Sequence, residues 1–153
     1  PITVVGDVPE SPDYQRIDDR DDFVENVFAG VNVYADSPLI LLTTSDMPFL
    51  SASVVADFVQ KGQELVASSG ANAIYPVVPV QSCYARFRGV KRTAIRLREG
   101  DITGGNLMLI SPAFLLTQRQ RLAEVYAARK QPAKMARMLG LGTLLRLLLS
   151  KLS

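Results

Sequence analysis

One aspartate stands at the end of an apolar run, in a setting that suits phosphate chemistry. Residues 39–50 read LILLTTSDMPFL, so the apolar run is followed by small hydroxyl residues, Asp46 and the turn-stiffening Pro48. Magnesium prefers oxygen ligands, keeps several waters, and is often held by one or two carboxylates together with substrate phosphates. Asp before X-Pro is also common in turns. From this motif alone, Asp46 is either a magnesium ligand or a cap of the turn or of the next helix.

A second polar segment, DITGGN, directly precedes an apolar LMLI run. Gly104 and Gly105 allow close backbone approach or positive φ angles. Thr103 and Asn106 add a hydroxyl and an amide that could contact a ligand. The alternative is an ordinary tight turn that leads into a strand, because Gly-Gly and Gly-Asn are frequent turn pairs.

A small basic cluster follows the middle of the chain. Cations of this kind beside aromatic rings could bind phosphates, but from the cluster alone a solvated charged loop is the favoured interpretation. Nucleic-acid binding needs a wider basic surface with aromatics for stacking, so no nucleic-acid partner is predicted. The cluster comprises Arg86, Arg88, Lys91 and Arg92, with Tyr84 and Phe87 beside them.

Composition excludes several kinds of chemistry. The chain has 153 residues, no histidine and one cysteine, Cys83. Histidine-dependent nucleophilic catalysis, histidine-ligated metals and an internal disulfide are therefore excluded. No window holds about 18 uninterrupted apolar residues, and the first residues lack a signal-peptide pattern. We therefore expect a cytoplasmic protein without a membrane span.

Charge is distributed unevenly along the chain. Residues 1–36 hold nine acidic residues against Arg16 and Arg20, whereas residues 114–153 hold eight basic residues against Glu124. Because the basic residues are spaced singly through a helical pattern, a solvated helix face is favoured over a nucleic-acid or lipid tail. The Leu-rich end of the chain is typical of a core helix or a partner interface, with membrane-surface binding as a weaker alternative.

Apolar periodicity predicts strands that alternate with helices. Such alternation indicates a three-layer α/β/α sandwich with a mostly parallel, Rossmann-like sheet and a helical C-terminal segment. Ligands of such sheets bind beyond the carboxyl ends of the strands. The predicted strands are Ile2–Val5, Leu39–Leu42, Asn72–Val80, Arg92–Leu97 and Leu107–Ile110, and residues 7–20 are predicted to be a loop. Helices are predicted to begin at Asp21, to run from Ser51 to about Ser69, and to begin again at Ser111-Pro112. The last helical region covers 113–153, with breaks near 131–132 and 140–142.

Two motifs together carry a resemblance to a known family. LLTTSDMPFLSASVVADFV (41–59), followed later by an Arg-Thr strand and TGGNLMLISP (103–112), resembles the nucleotidyltransferases of GT-A-like fold, the nucleotide-diphospho-sugar transferase type. The subgroup it resembles most is that of the MobA-like NTP transferases, named for molybdenum cofactor guanylyltransferase. The resemblance covers residues 1–115 and implies a partial nucleotidyltransferase domain there, with helices of 116–153 packed on the same domain.

The resemblance implies a reaction and roles for individual residues. A phosphorylated small molecule attacks the α-phosphorus of a nucleoside triphosphate, and pyrophosphate leaves. Asp46 would be the catalytic aspartate that binds Mg²⁺ and the nucleotide. The remaining roles implied are nucleotide binding by Asn26 and Gly30, and acceptor binding by Lys91, Arg92, Thr103, Gly104, Gly105 and Asn106.

The sequence also departs from the family pattern. The family's N-terminal glycine-rich loop with its lysine is absent, and so is a later acidic residue that would complete the metal site. The chain thus resembles either an internal piece of a longer enzyme or a degenerate relative of the family, and in both cases we expect it to be inactive by itself. The alternative is a non-catalytic α/β binding or assembly module that uses the Leu-rich C-terminal helices as an interface. The nucleobase, the acceptor and homodimerisation stay open.

Overall fold

The computed structural model describes residues 1–87, 89, 94–97, 100–129 and 131. Within these residues the chain forms short strands interspersed with helices. The strands are β1 Thr3–Val5, β2 Gln15–Ile17, β3 Ile40–Thr43, β4 Ala73–Ile74, β5 Val77–Pro79, β6 Ile95–Leu97, β7 Gly100–Gly104 and β8 Leu107–Ile110. The helices are α1 Phe23–Asn32, α2 Ala52–Ser69, α3 Val80–Arg86, α4 Pro112–Thr117 and α5 Arg119–Ala128.

The central sheet has β8 between β3 and β4, and both neighbours run antiparallel to it. Its two faces are covered by different helices. Ile110 belongs to the core cluster formed with α1, whereas Leu109, the preceding residue, packs on Gly62 of α2, where a Cβ atom would lie 2.7 Å from a Leu109 methyl group. This alternation is the period-two pattern of a strand that is buried on both faces.

The core on the α1 side is built from aliphatic side chains and one phenylalanine. Phe28 is 1% exposed and Val31 is fully buried. Both lie on the apolar face of α1, with Val24 one turn earlier. The cluster is completed by Ile110 and Leu115, with Val27, Ile40, Leu42, Met108, Leu116, Leu122 and Tyr126 packed around it.

Helix ends follow the local signals in the sequence. The Asp22 carboxylate accepts hydrogen bonds from the backbone N–H groups of Val24 and Glu25, at 2.8 and 3.0 Å, and so caps α1. Ser51 caps α2. Gly70 ends that helix with a φ of 68°, a left-handed conformation that favours glycine. Ser111 and Pro112 begin α4 as predicted.

The fold is mixed α/β, but the prediction of a mostly parallel sheet is wrong for the described strands. Among them, β1 and β2 pair in parallel, and the other pairings are antiparallel. The prediction rests on the alternation of strands with long helices and on the continuous apolar run of Leu39–Leu42. Such runs show that a strand is buried on both faces, and here helices bury both faces of an antiparallel strand.

Three further predictions need correction. The polar stretch 7–20 contains β2, which pairs with β1. The predicted strand Asn72–Val80 divides into β4 and β5, separated at Tyr75-Pro76, because Pro76 has no backbone N–H for a ladder. Helix α3 and strand β7 were not predicted.

Other predictions hold within the part of the chain that the structure describes. Residues 95–97 of the predicted strand Arg92–Leu97 form β6, which pairs antiparallel at the edge of its sheet. The helical prediction is confirmed over α4 and α5, with an unpredicted break at Gln118 between them. Residues 130 and 132–153, with the proposed interface, lie outside the described residues. No described helix has both the length and the apolar character required to cross a bilayer.

Candidate functional site

A bent antiparallel ladder brings the TGGN segment to one end of the central sheet. The chain of β4 and β5 pairs first with β8 and then with β7. Ile74 lies opposite Leu109 and Val77 lies opposite Gly104. Residues 75–76 on one side therefore face residues 105–108 on the other. Unequal numbers of this kind form a β-bulge, a feature that is frequent beside active sites. Because Leu107 and Met108 pair with β3, we call Gly105 and Asn106, the two residues between β7 and β8, the bulge.

The two glycines are explained by close contact with the facing chain. A Cβ atom at Gly104 would collide with the Tyr75 ring, and one at Gly105 would lie 2.8 Å from Cγ of Pro76. Among the described glycines, the positive φ angles occur elsewhere, at Gly6, Gly70, Gly89 and Gly100. The sequence suggested either a close backbone approach or positive φ angles at Gly104 and Gly105. The structure shows the close approach, and the facing chain is the Tyr75-Pro76 segment.

Hydrogen bonds fix this contact. The Gly105 N–H donates to the carbonyl of Pro76 at 2.9 Å, and the Tyr75 hydroxyl donates to the carbonyl of Gly105 at 2.5 Å. Both polar groups of Gly105 are thus bonded to two consecutive residues. Tyr75 was not singled out in the sequence; its only signal there was its position before Pro76.

The strand that precedes Asp46 ends on the other side of the bulge. Thr43, the last residue of β3, lies opposite Leu107. The next backbone N–H, that of Thr44, donates to the carbonyl of Asn106 at 3.4 Å. The structure therefore brings together the two segments that the sequence singled out, TTSDMP and TGGN, although they lie far apart along the chain.

Asp46 lies in the exposed loop that joins β3 to α2. The cap of α2 is Ser51, whose hydroxyl accepts from the Val54 N–H at 3.4 Å, so Asp46 does not cap that helix. Within the described residues, no group of three or more His, Cys, Asp or Glu side chains is placed to hold a metal. A magnesium ion at Asp46 would therefore need waters and substrate phosphates as its other ligands, which is the usual coordination of this ion.

The other residues of the predicted acceptor side occupy different environments. Thr103 is buried, with 6% exposure. Asn106 is half-buried in the bulge. Lys91 and Arg92 lie outside the described residues. Arg86, the first cation of the basic cluster, is exposed in the last turn of α3.

Two exposed aromatic residues link α3 to the Asp46 loop. Phe49, three residues after Asp46, is 80% exposed. Its ring centroid lies 5.8 Å from that of Phe87, the residue after Arg86. The beginning of the basic cluster thus lies next to the Asp46 loop, an arrangement that no spacing in the sequence indicated.

Asn26 and Gly30, the predicted nucleotide contacts, lie on α1. The amide of Asn26 donates to Asp19 at 2.6 Å and accepts from the Arg20 N–H at 2.8 Å. The hydrogen bond from Asn26, with a second from the Asp21 N–H, lowers the pKa of the Asp19 carboxyl. Gly30 packs against Val5 of β1. Both residues thus have structural contacts of their own.

A separate cleft of about 740 Å³ lies between α1 and α5. The Arg119–Glu25 ion pair joins the two helices there. Its lining residues come from these helices and their ends rather than from the segments around Asp46. They are Asp22, Val24, Glu25, Arg119, Gln120, Ala123, Tyr126 and Ala127.

Comparison with known proteins supports a transferase fold. No protein-family model matches the chain, and no curated protein matches it significantly. A solved structure, that of a hypothetical transferase from Thermus thermophilus, is similar with a TM-score of 0.77 and 34% sequence identity. The similarity covers 96% of this chain and 61% of the Thermus chain. This chain therefore shares the fold of the Thermus protein and spans less than two thirds of its length.

Proposed function

We propose that this chain carries the metal and acceptor side of a magnesium-dependent nucleotidyltransferase of the MobA-like type. The enzyme would transfer a nucleoside monophosphate from a nucleoside triphosphate to a phosphorylated small molecule. Because the chain spans only 61% of the similar Thermus protein, the activity is proposed for the full-length gene product.

The observation that supports this proposal most is the contact between Thr44 and Asn106. It places a carboxylate-bearing loop beside a polar bulge at one end of the sheet. A transferase needs two neighbouring subsites, one for each reactant, because holding the reactants in line removes most of the entropic cost of their encounter. Asp46 would supply the charge for one subsite, and the side-chain amide of Asn106 would supply hydrogen-bonding groups for the other.

The chemistry follows from the charges of the reactants. An acceptor phosphate oxygen forms a bond to the α-phosphorus, the bond from that phosphorus to the bridging oxygen breaks, and pyrophosphate leaves with the electron pair. When bound, Mg²⁺ would neutralise the negative charge that develops on the phosphates. Asp46 would hold this ion, and the Asn106 amide would orient the acceptor. Arg86, Lys91 and Arg92 are cations suited to the acceptor phosphate.

A binding experiment tests the proposal directly. Thermal unfolding of the full-length protein is measured with ATP, GTP, CTP and UTP, each with and without Mg²⁺. A ligand that binds the native state stabilises it, by about 2.7 kcal/mol at one hundred times its Kd. We expect at least one triphosphate to raise the Tm in a magnesium-dependent way, and Asp46→Asn to remove that increase.

An activity screen completes the test. Pyrophosphate release is measured for the stabilising triphosphate with glucose 1-phosphate and with methylerythritol 4-phosphate as acceptor probes. Release that depends on the acceptor supports nucleotidyl transfer. A protein that neither gains stability from any triphosphate nor releases pyrophosphate contradicts the proposal.

A further inference from the structure

We infer that Tyr75 is a positioning residue of this site: its hydroxyl fixes Gly105 and thereby holds Asn106 beside the Asp46 loop. The inference rests on the proposed function and extends it to a residue that neither the motifs nor the resemblance assigns. Tyr75 acts through the backbone, so it needs no contact with substrate.

The bond from Tyr75 lies where the ladder changes partner. Tyr75 and Pro76 form the two-residue link between β4 and β5. The Tyr75 hydroxyl donates to the Gly105 carbonyl at 2.5 Å, and the Pro76 carbonyl accepts from the Gly105 N–H at 2.9 Å. In a bulge the regular ladder bonds are interrupted. The position of the Gly105 peptide therefore depends on these two bonds.

The support on the opposite side of the bulge is weaker. Thr44 bonds the Asn106 carbonyl at 3.4 Å, beyond the usual 2.7–3.2 Å range of N–H···O bonds. Because this contact is long, we expect it to contribute less to the placement of Asn106. Asn106 thus lies between Leu107, which is held by its pairing with Thr43, and Gly105, which is held by the two shorter bonds to Tyr75 and Pro76.

The exposure of Tyr75 indicates that its role is to position Gly105 rather than to fill the core. Tyr75 is 50% exposed, whereas the core residue Phe28 is 1% exposed. A half-exposed ring contributes little burial, so removal of the hydroxyl alone should leave the fold intact. Its bond nevertheless joins residues that are 30 positions apart. We therefore expect this bond to determine the position of the bulge residues and to contribute little to the stability of the whole chain.

The test is Tyr75→Phe in the full-length protein, which keeps the ring beside Gly104 and removes only the hydroxyl. Pyrophosphate release is measured with glucose 1-phosphate and methylerythritol 4-phosphate as probes. Because the bulge lies on the proposed acceptor side, we expect the acceptor KM to rise roughly three- to tenfold, the effect of one lost hydrogen bond. The KM for the triphosphate should change less than about twofold.

Tyr14→Phe is the matched control. The Tyr14 hydroxyl also donates to a backbone carbonyl at 2.5 Å, that of Pro9, in the loop between β1 and β2. It is only partly exposed and lies outside the ladder that forms the bulge. Loss of an equivalent bond there should leave the KM values for the acceptor and the triphosphate unchanged. A change in this control would reveal a general effect of removing a tyrosine hydroxyl.

A double-mutant cycle determines whether Tyr75 acts through Asn106. If it does, Tyr75→Phe should change the acceptor KM less than about twofold when it is introduced into Asn106→Ala. Equal effects in both backgrounds, or equal changes in the two KM values, would overturn the inference while leaving the proposed function in place. If no triphosphate stabilises the wild-type protein and it releases no pyrophosphate, both the proposed function and this inference are contradicted.

Discussion

The backbone N–H of Thr44 donates to the carbonyl of Asn106, at the point where β3 ends and β8 begins. This contact joins the loop that carries Asp46 to the bulge that contains Gly105 and Asn106, the last two residues of the TGGN motif. Since β3 and β8 are antiparallel, the carboxyl end of one strand lies beside the amino end of the other. The segment that follows β3 and the segment that precedes β8 therefore meet at the candidate site.

Replacement of Asp46 should abolish function and preserve the fold. Because a magnesium clamp acts mainly on the charge that develops in the transition state, Asp46→Asn should lower kcat/KM of the full-length protein by about 10²–10³-fold. Asp46 is exposed, so the free energy of unfolding should change by less than about 0.5 kcal/mol. Glu64→Gln, an exposed carboxylate on α2, is the control. An active Asp46→Asn enzyme would contradict the assignment.

Introduction of a side chain at Gly105 should distort the bulge. In Gly105→Ala, the new Cβ would lie 2.8 Å from Cγ and 3.3 Å from the carbonyl oxygen of Pro76. Overpacking of this kind costs about 1–3 kcal/mol, measurable by urea unfolding. Pro76→Ala removes the closer atom, so the double variant should recover part of that stability. If Gly105→Ala is as stable as the wild type, the close contact described here is wrong.

The Asn26–Asp19 contact gives a prediction for acid titration. Asn26 lowers the pKa of Asp19 below its ordinary value of 3.8. A carboxylate with a lowered folded pKa stabilises the fold above its ordinary value, and this contribution is lost as the pH falls through the lowered pKa. In Asn26→Ala, the pKa of Asp19 should move back toward 3.8, as followed by NMR titration of the carboxyl carbon.

Asp19→Asn supplies the comparison for this variant, because it removes the carboxylate that Asn26 contacts and keeps the Asn26 amide. If Asn26 contacts the nucleotide, as the resemblance implies, magnesium-dependent stabilisation by a triphosphate should fall in Asn26→Ala and persist in Asp19→Asn. An unchanged Asp19 pKa in Asn26→Ala would show that the hydrogen bond is not formed in solution.

Two phenylalanines should differ sharply in their contribution to stability. Phe28 is 1% exposed and Phe49 is 80% exposed. Phe28→Ala leaves a cavity in the α1 core and should cost about 3–5 kcal/mol. Phe49→Ala should cost less than about 1 kcal/mol, since its contact with the Phe87 ring is largely solvated. Similar values for the two variants in denaturant unfolding would contradict the described packing.

Local signals in the sequence were sufficient for helix boundaries. Ser51 and Gly70 mark the ends of α2, and Ser111-Pro112 begins α4, because caps depend on residues within one turn of the helix end. Apolar runs were also found at β3 and β8, of which β8 is largely buried and β3 only partly buried. Strand direction could not be predicted, since an apolar run indicates burial and not the direction of the neighbouring strand.

The candidate site could be predicted only in part. Asp46 and the TGGN motif were found as separate segments, and their contact depends on the pairing of β3 with β8. The bulge depends on the register of residues 75–76 against 105–108, a long-range relationship that neither segment specifies. Tyr75 was missed for this reason: a tyrosine before Pro76 has no local feature that predicts a bond to Gly105.

The position of β8 between β3 and β4 also constrains the order of folding. During synthesis β3 emerges early, as the apolar stretch ILLT, but its partner β8 begins only at Leu107. Until then neither β3 nor β4 can pair with the strand that separates them. Such non-local pairing slows folding and leaves an apolar edge exposed on the nascent chain. The central sheet, and the candidate site at its end, therefore cannot be completed before Leu107–Ile110 has been synthesised.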